Sequence, residues 1–309
     1  MKILLVGEYS RLHNSLKEGL LLLGHDVVLV STGDYFKQFP ADILFTRNFE
    51  QGFLKKIKVI LYRFFKNDIT SKNIRSQFFK YAEKLKGYDV VQLINESPLG
   101  ISPKHELEII QFLKKHNKKL FLLSCGVDYM VLQFLLSYHS KYHILQGLKE
   151  GKVNKENYEF ALKYQSSDFK DLHKKIQSLL HGIIASDLDY HIPLQGNPKY
   201  IGLIPNPINT DKIEPIPFQK SDTTIIFLGI NRNNYHTKGI EYFEEALNIL
   251  QKKYEGRISV IISENIPYEE YISLYNKAHI VLDQVLSWDQ GYNALEAMAK
   301  GKVVFTGAE

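Results

Sequence analysis

Arg232 and Lys238 lie in the run Gly229-Ile230-Asn231-Arg232-Asn233-Asn234-Tyr235-His236-Thr237-Lys238-Gly239, between an apolar stretch that reads as a strand and a segment of helical periodicity. A strand end that delivers two cations to the start of a helix gathers positive charge and free backbone N–H groups, and such a place holds a diphosphate. A solvated loop is the other reading of these residues. A second run, Asp283 to Lys300, has the same strand, loop and helix order. Its helix opens near Gly291, so the backbone amides of Gly291, Tyr292 and Asn293 are expected to face a phosphate. Glu296 follows in the first turns of that helix. One carboxylate accepts two hydrogen bonds from vicinal hydroxyls, the way acidic residues in α/β nucleotide sites hold a ribose.

Other chemistry is thinly represented. The chain has no Gly-Lys-Ser/Thr phosphate loop, no Gly-x-Gly-x-x-Gly after its first strand, no Gly-x-Ser-x-Gly elbow and no His-Glu-x-x-His. His139 and His143 are spaced as two ligands on one helix face, but no carboxylate or third histidine stands at a companion spacing, so a surface pair is expected and no metal site. The single cysteine, Cys125, is a nucleophile only with a base beside it, and a buried inert thiol is the simpler reading.

The elements that must position these residues alternate between short apolar runs and longer periodic segments, the pattern of parallel sheets covered by helices. Strands are expected at 2–6, 26–30, 42–45, 89–93, 119–123, 182–185 and 199–203, with clear helices at 11–23 and 103–116 and a long helical stretch over 127–181. Four prolines between Pro205 and Pro217 forbid helix or central strand and read as a linker. The alternation then restarts: strands at 223–228, 257–262, 280–282 and 302–305, and helices at 237–254, 268–278 and 291–299. This divides the chain into a first domain at 1–205 and a second at 206–309. In open α/β units ligands sit outside the carboxyl ends of the strands, and two facing units leave a cleft between them.

The 309 residues are 44% hydrophobic and 24% charged, enough apolar material for real cores, and this excludes disorder and a disulfide-stapled miniprotein. One cysteine fits a reducing, cytosolic setting. The net charge of +5 is uneven: residues 53–86 carry ten basic side chains against two acidic ones, interleaved with Ile57, Val59, Ile60, Leu61, Phe64, Phe65, Phe78 and Phe79. Such a segment suits an anionic membrane surface, and a pair of ordinary helices with solvated lysine faces is the alternative. No nucleic-acid recognition motif accompanies it, and none is expected as a partner.

The lead Gly24-His25-Asp26-Val27, the linker Pro205-Asn206-Pro207, the Arg232 and Lys238-Gly239 pair, and the block Ala294-Leu295-Glu296-Ala297-Met298-Ala299-Lys300-Gly301 together resemble the retaining glycosyltransferases of the two-domain GT-B architecture, in particular family 4, which includes many bacterial polysaccharide and lipopolysaccharide transferases. The resemblance implies an α/β fold of two Rossmann-like domains facing across a cleft. It implies transfer of a sugar from a nucleotide-sugar donor to a glycan or lipid-linked acceptor, with retention of configuration and with no metal or other cofactor. Arg232 and Lys238 match the pair that neutralises the donor diphosphate, and Glu296 matches the second glutamate of the family's Glu-x7-Glu motif, which grips the ribose. The second domain stops after its fourth strand, where the family continues, so an incomplete second domain is expected.

The departures are specific. Trp288 stands where the family has its first glutamate, and Asp289 is the carboxylate that supplies the sugar contact if the loop shifts by one residue. The paired glycines usual in the loop after the first strand are replaced by Glu8-Tyr9-Ser10-Arg11-Leu12-His13, and Ser124-Cys125-Gly126-Val127-Asp128 occupies the stretch that often holds a histidine. The acceptor is expected near Ser10, His13 and Asp128. The overall expectation is a cytoplasmic enzyme at the inner membrane face, held there through residues 53–86. A nucleotide-binding scaffold of the same fold, without transferase activity, is the alternative that Trp288 favours.

Overall fold

The computed structural model describes residues 1–34, 38–65, 67–137, 142–217, 221–264, 266, 268–288 and 290–307. Its strands are β1 (Lys2–Val6), β2 (Asp26–Ser31), β3 (Ile43–Leu44), β4 (Val90–Leu93), β5 (Lys119–Ser124), β6 (Gly182–Ala185), β7 (Tyr200–Leu203), β8 (Thr224–Ile230), β9 (Ile258–Glu264), β10 (Ile280–Leu282) and β11 (Val303–Phe305). The helices are α1 (Leu12–Leu22), α2 (Gly52–Phe65), α3 (Ile69–Lys80), α4 (Pro103–His116), α5 (Tyr129–Leu136), α6 (Gln146–Lys149), α7 (Glu159–Leu162), α8 (Ser167–Leu179), α9 (Leu188–Leu194), α10 (Tyr235–Lys238), α11 (Ile240–Lys253), α12 (Tyr268–Lys277) and α13 (Tyr292–Ala299).

The chain forms two compact units. One comprises Met1–Met130, Lys163–Ser186 and Tyr190–Pro207; the other comprises Val131–Leu162, Asp187–Asp189 and Ile208–Glu309. Residues 131–162 and 187–189, read from the sequence as part of the first domain, therefore group with the second unit. The helical stretch expected over 127–181 is also broken into α5, α6, α7 and α8, with 3-10 turns between them.

In the first unit seven parallel strands lie in the order β3-β2-β1-β4-β5-β6-β7. Strand order reverses between β1 and β4, the switch point where loops leave in opposite directions and open a crevice. Ile3, Leu5, Val27 and Leu29 pack on one face against Leu16 and Leu20 of α1. Gly7 ends β1 at φ 89°, and a Cβ there would stand 2.3 Å from Ile94 Cγ2 and 2.6 Å from the Pro98 carbonyl oxygen, so only glycine lets the β1 and β4 loops come this close.

In the second unit four parallel strands lie in the order β11-β10-β8-β9, and its switch point falls between β8 and β10. The two-residue period of β8 divides the core. Ile226, Leu228 and Ile230 pack with Ile240 and Leu247 of α11, while Phe227 packs with Tyr275, Ala278 and Ala297 on the other face. Each such fully buried side chain stabilises the fold by about 1.5–3 kcal/mol. The helix expected over 237–254 is two helices. Gly239 takes φ 67° between α10 and α11, with Leu286 Cγ 2.8 Å from where a Cβ would be. This bend turns Lys238 to the end of a short helix pointing toward β10.

The basic segment 53–86 separates into two helices of different character. The α3 helix is capped by Asp68, whose side chain accepts from Ser71 N at 3.0 Å, and it buries Thr70, Ser71, Ile74 and Phe78. The α2 helix buries none of its residues.

Candidate donor site and the loops of the first sheet

The carboxyl ends of β8, β9 and β10 converge on the switch point of the second sheet. Past Ile230, the Asn231 side chain accepts from Asn233 N at 3.0 Å and forms the 3-10 turn that carries Arg232. The Arg232 guanidinium makes a forked pair with Glu264 at the end of β9, Nε–Oε1 2.7 Å and an Nη–Oε2 contact of 2.6 Å, and stacks over the Tyr235 ring at 4.9 Å. The hydrogen bond and charge of Arg232 hold the Glu264 carboxyl below its usual range.

The second cation is held more deeply. Lys238 Nζ donates to Asp283 Oδ1 at 2.8 Å, and Asp283 is buried at the point where β10 ends. Asn293 Nδ2 stands 3.4 Å from the same oxygen, and Asn293 Oδ1 accepts from Tyr271 OH at 3.2 Å. Asp283 Oδ2 has no hydrogen-bond partner among the described residues. A Cβ on Gly291 would stand 3.7 Å from that oxygen, so the start of α13 lies against the same carboxylate. The structure thus ties Lys238, Gly291 and Asn293 together through Asp283, a residue the sequence reading did not single out. The available signal was an acid directly after the apolar Ile280-Val281-Leu282 of a buried strand.

The α13 helix has Gly291 at its N-cap with no side-chain cap hydrogen bond among the described residues, and its first turn starts beside Asp283 at the end of β10. Tyr292 is half-buried in that first turn. Glu296 lies three residues after Asn293, on the same helix face, and pairs with Lys300 Nζ at 3.0 Å. Asp289 lies outside the described residues. Beside it, Trp288 N donates to Asp189 Oδ1 at 3.1 Å, the Ser287 hydroxyl bonds the same carboxylate, and Gln290 N donates to Asp187 Oδ2 at 3.0 Å. Burial raises the Asp189 pKa, with the Ser287 and Trp288 hydrogen bonds opposing it. Asp187 and Asp189, a hundred residues away in sequence, therefore staple the loop that precedes α13.

The expected acceptor residues sit in three different environments, Ser10 and Asp128 on loops of the first sheet and His13 in the first turn of α1. Ser10 has φ 50° and donates its N–H to Asp34 Oδ2 at 2.9 Å. Asp128 is buried and accepts from Ser124 Oγ at 3.3 Å. His13 is wholly buried, with Nδ1 donating to the Gly7 carbonyl at 2.7 Å and Nε2 3.1 Å from Gln92 Nε2. Burial lowers its pKa to about 4, so the imidazole is neutral and braces the β1 loop from inside; it offers no surface to an acceptor.

Other buried polar groups surround these loops. Glu8 accepts from Asn14 N and Nδ2 at 2.9 and 2.6 Å, and burial pushes its carboxyl up to about 7. Glu106 accepts from Ser97 Oγ, Leu99 N and Ile101 N, and burial raises it to about 7 as well. Glu96 pairs with His173 Nδ1 at 2.5 Å; burial disfavours the His173 charge, but the Glu96 hydrogen bond and charge outweigh it and the pKa rises. Asn95 donates to the Cys125 carbonyl at 2.9 Å, which ties the β4 and β5 loops together. His143 is buried rather than on the surface, and His139 lies outside the described residues.

No family model matches this chain, and no curated protein sequence matches it. Among solved structures it is similar to the catalytic domain of starch synthase IV from Arabidopsis thaliana bound to ADP and acarbose, with a TM-score of 0.55 at 10% identity over 99% of this chain and 83% of that one. It is also similar to a sucrose-phosphate synthase from Thermosynechococcus elongatus, with a TM-score of 0.51 at 14% identity over 98% of this chain and 80% of that one. At these identities the likeness is one of fold. The chain has the α/β fold of the GT-B class, with two Rossmann-like parallel sheets.

Proposed function

We propose that the chain is a glycosyltransferase that moves a sugar from a nucleotide-sugar donor to a glycan or lipid-linked acceptor, with retention of configuration and without a metal. The observation that carries this reading is the convergence of Lys238, Asn293 and the start of α13 on the switch point between β8 and β10, with Arg232 on the adjoining strand end. That arrangement supplies cations and backbone N–H groups where a diphosphate would leave. When the bond between the anomeric carbon and the diphosphate breaks, negative charge grows on the leaving group, and preorganised donors stabilise it without reorganising. Glu296 is assigned the ribose hydroxyls, and Asp289 the donor sugar. On the acceptor side Ser10 remains assigned, at the cytoplasmic face of a membrane, while Asp128, buried like His13 and bonded to Ser124, is set aside as a direct contact. The starch synthase of similar fold is bound to ADP, which supports a nucleotide as the kind of ligand.

The test is calorimetric titration of nucleoside diphosphates and their sugars. Glu296→Ala should weaken binding by about 10- to 100-fold, as expected for loss of a charged hydrogen-bond acceptor. Unchanged affinity would remove the assignment. Trp288, fixed through its backbone to Asp189, favours a second reading as a nucleotide-binding scaffold without transfer. Tight diphosphate binding combined with no sugar transfer or donor hydrolysis from any nucleotide sugar would select that reading.

A further inference from the structure

The α2 helix combines strong amphipathicity with sparse packing. Phe53, Ile57, Ile60, Leu61 and Phe64 recur at i, i+4, i+7, i+8 and i+11 and form one apolar stripe, while Lys55, Lys56, Lys58 and Arg63 occupy the remaining arc. In a helix that covers a core this stripe would be buried. Here Phe53 is 76% exposed, Ile60 53% and Phe64 72%, Phe65, just off the stripe, is 72% exposed, and only Ile57 and Leu61 of the stripe are half-buried. The neighbouring α3, with a similar share of aromatic and basic residues, buries Ile74 and Phe78 and is part of the fold. The charged and apolar character of 53–86 therefore resolves into one integrated helix and one that leaves most of its apolar side chains exposed.

We propose that α2 is an interfacial helix that seats the first unit on an anionic lipid bilayer, with Phe53, Ile60 and Phe64 inserted among the acyl chains and the flanking cations on the lipid phosphates. The occupant follows from charge and length. Fourteen residues make a helix of about 21 Å, short of the ~30 Å hydrocarbon thickness, so α2 lies along a membrane and does not cross one. Among the described residues no helix is long and apolar enough to cross. A second copy of the chain is a poorer occupant, because it would cover the stripe but bring only like charges to its margin, where Lys56 and Arg63 flank the apolar residues. An anionic surface answers both halves of the helix at once.

Placement gives the contact a use. The chain enters α2 from the carboxyl end of β3, the same end of the first sheet from which the loops bearing Ser10, Asn95 and Asp128 emerge. Docking through α2 would hold these loops near the bilayer surface, so under the transferase reading the acceptor is lipid-linked rather than a free glycan. The docking itself does not depend on that reading.

The test is co-sedimentation of the full chain with vesicles, without nucleotide, so that its failure is distinct from failure of the donor site. Wild type should pellet with vesicles of mixed phosphatidylglycerol and phosphatidylcholine, far less with phosphatidylcholine alone, and less as salt rises. The triple variant Phe53→Ser, Ile60→Ser, Phe64→Ser should lose at least about tenfold in partitioning with an unchanged unfolding midpoint. Wild type remaining in the supernatant with anionic vesicles would overturn the proposal. So would a lipid-free dimer that the triple variant dissociates, or a midpoint lowered by several degrees, since either would mean that the stripe is already covered by protein.

Discussion

The two sheets carry their polar groups at equivalent switch points but solve the electrostatics in opposite ways. At the carboxyl end of the first sheet, Glu8 and Glu106 are buried and pushed up to about 7, and His13 is buried and pushed down to about 4. Each is driven toward its neutral form by desolvation. At the end of the second sheet, Arg232 and Lys238 each meet a carboxylate, Glu264 and Asp283, and the Arg232 pairing holds the Glu264 carboxyl below its usual range. The first arrangement braces loops through groups driven toward neutrality; the second holds two cations against carboxylates at the strand ends, the feature on which the proposed donor site rests. The difference teaches that polar groups at equivalent strand ends can be set in very different surroundings.

The sharpest way to break this comparison is at Lys238. Asp283 has a side chain only 1% exposed, so Lys238→Ala leaves a buried carboxylate without its cation and should cost about 3–5 kcal/mol in urea unfolding as well as abolishing diphosphate binding. Arg232→Ala, at a half-exposed pair, should weaken diphosphate binding yet change stability by no more than about 1 kcal/mol. Equal stability losses in the two variants would erase the distinction between a buried and a surface cation.

The next largest effect is the pH dependence of Glu8. Its folded pKa of about 7 lies above the ordinary 4.5 of a solvated glutamate, so the unfolded chain ionises first. The stability linked to Glu8 is fully present below pH 4.5 and lost as pH rises through about 7. Glu8→Gln keeps an acceptor oxygen for Asn14 and removes the titration. The stability difference between variant and wild type should therefore shift in favour of the variant by on the order of 2–3 kcal/mol between pH 5 and pH 8. A difference that does not vary with pH would show that Glu8 is ionised in the fold. Burial of His13 works in the opposite window, with stability lost as pH falls from 6.5 through about 4.

A smaller effect is expected at the loop staple. Ser287→Ala removes one hydrogen bond to Asp189 and leaves that of Trp288 N, so unfolding should shift by about 1 kcal/mol. If the staple positions Gly291 to Asn293, diphosphate affinity should fall severalfold in the same variant. A stability loss with unchanged affinity would confine Asp189 to a structural role.

Much of this molecule was legible in its residues. Apolar runs bounded by Gly, Pro and Asp marked the strands, because a parallel strand covered on both faces must be apolar along its length. The cation pair and the start of α13 were readable for a related reason: a strand followed by a polar loop and a helix is a local pattern. Three things were not readable. Asp283 reveals its role only when β10 is laid beside β8, Asp189 reaches its loop across nearly a hundred residues, and the apolar periodicity of α2 looks the same whether or not a core covers it. His13 shows the same limit in reverse, since a histidine at the start of a helix beside polar residues reads as accessible until burial is known.

The sequence by itself determined the α/β alternation, the parallel character of both sheets and the residue types at the strand ends, all of which follow from local periodicity and backbone chemistry. Tertiary structure alone decided which of those residues keep their charge, which are neutralised inside, and which apolar stripe is left uncovered. Charge state and exposure depend on desolvation and on partners brought from elsewhere in the chain, and neither is a property of a residue and its neighbours in sequence.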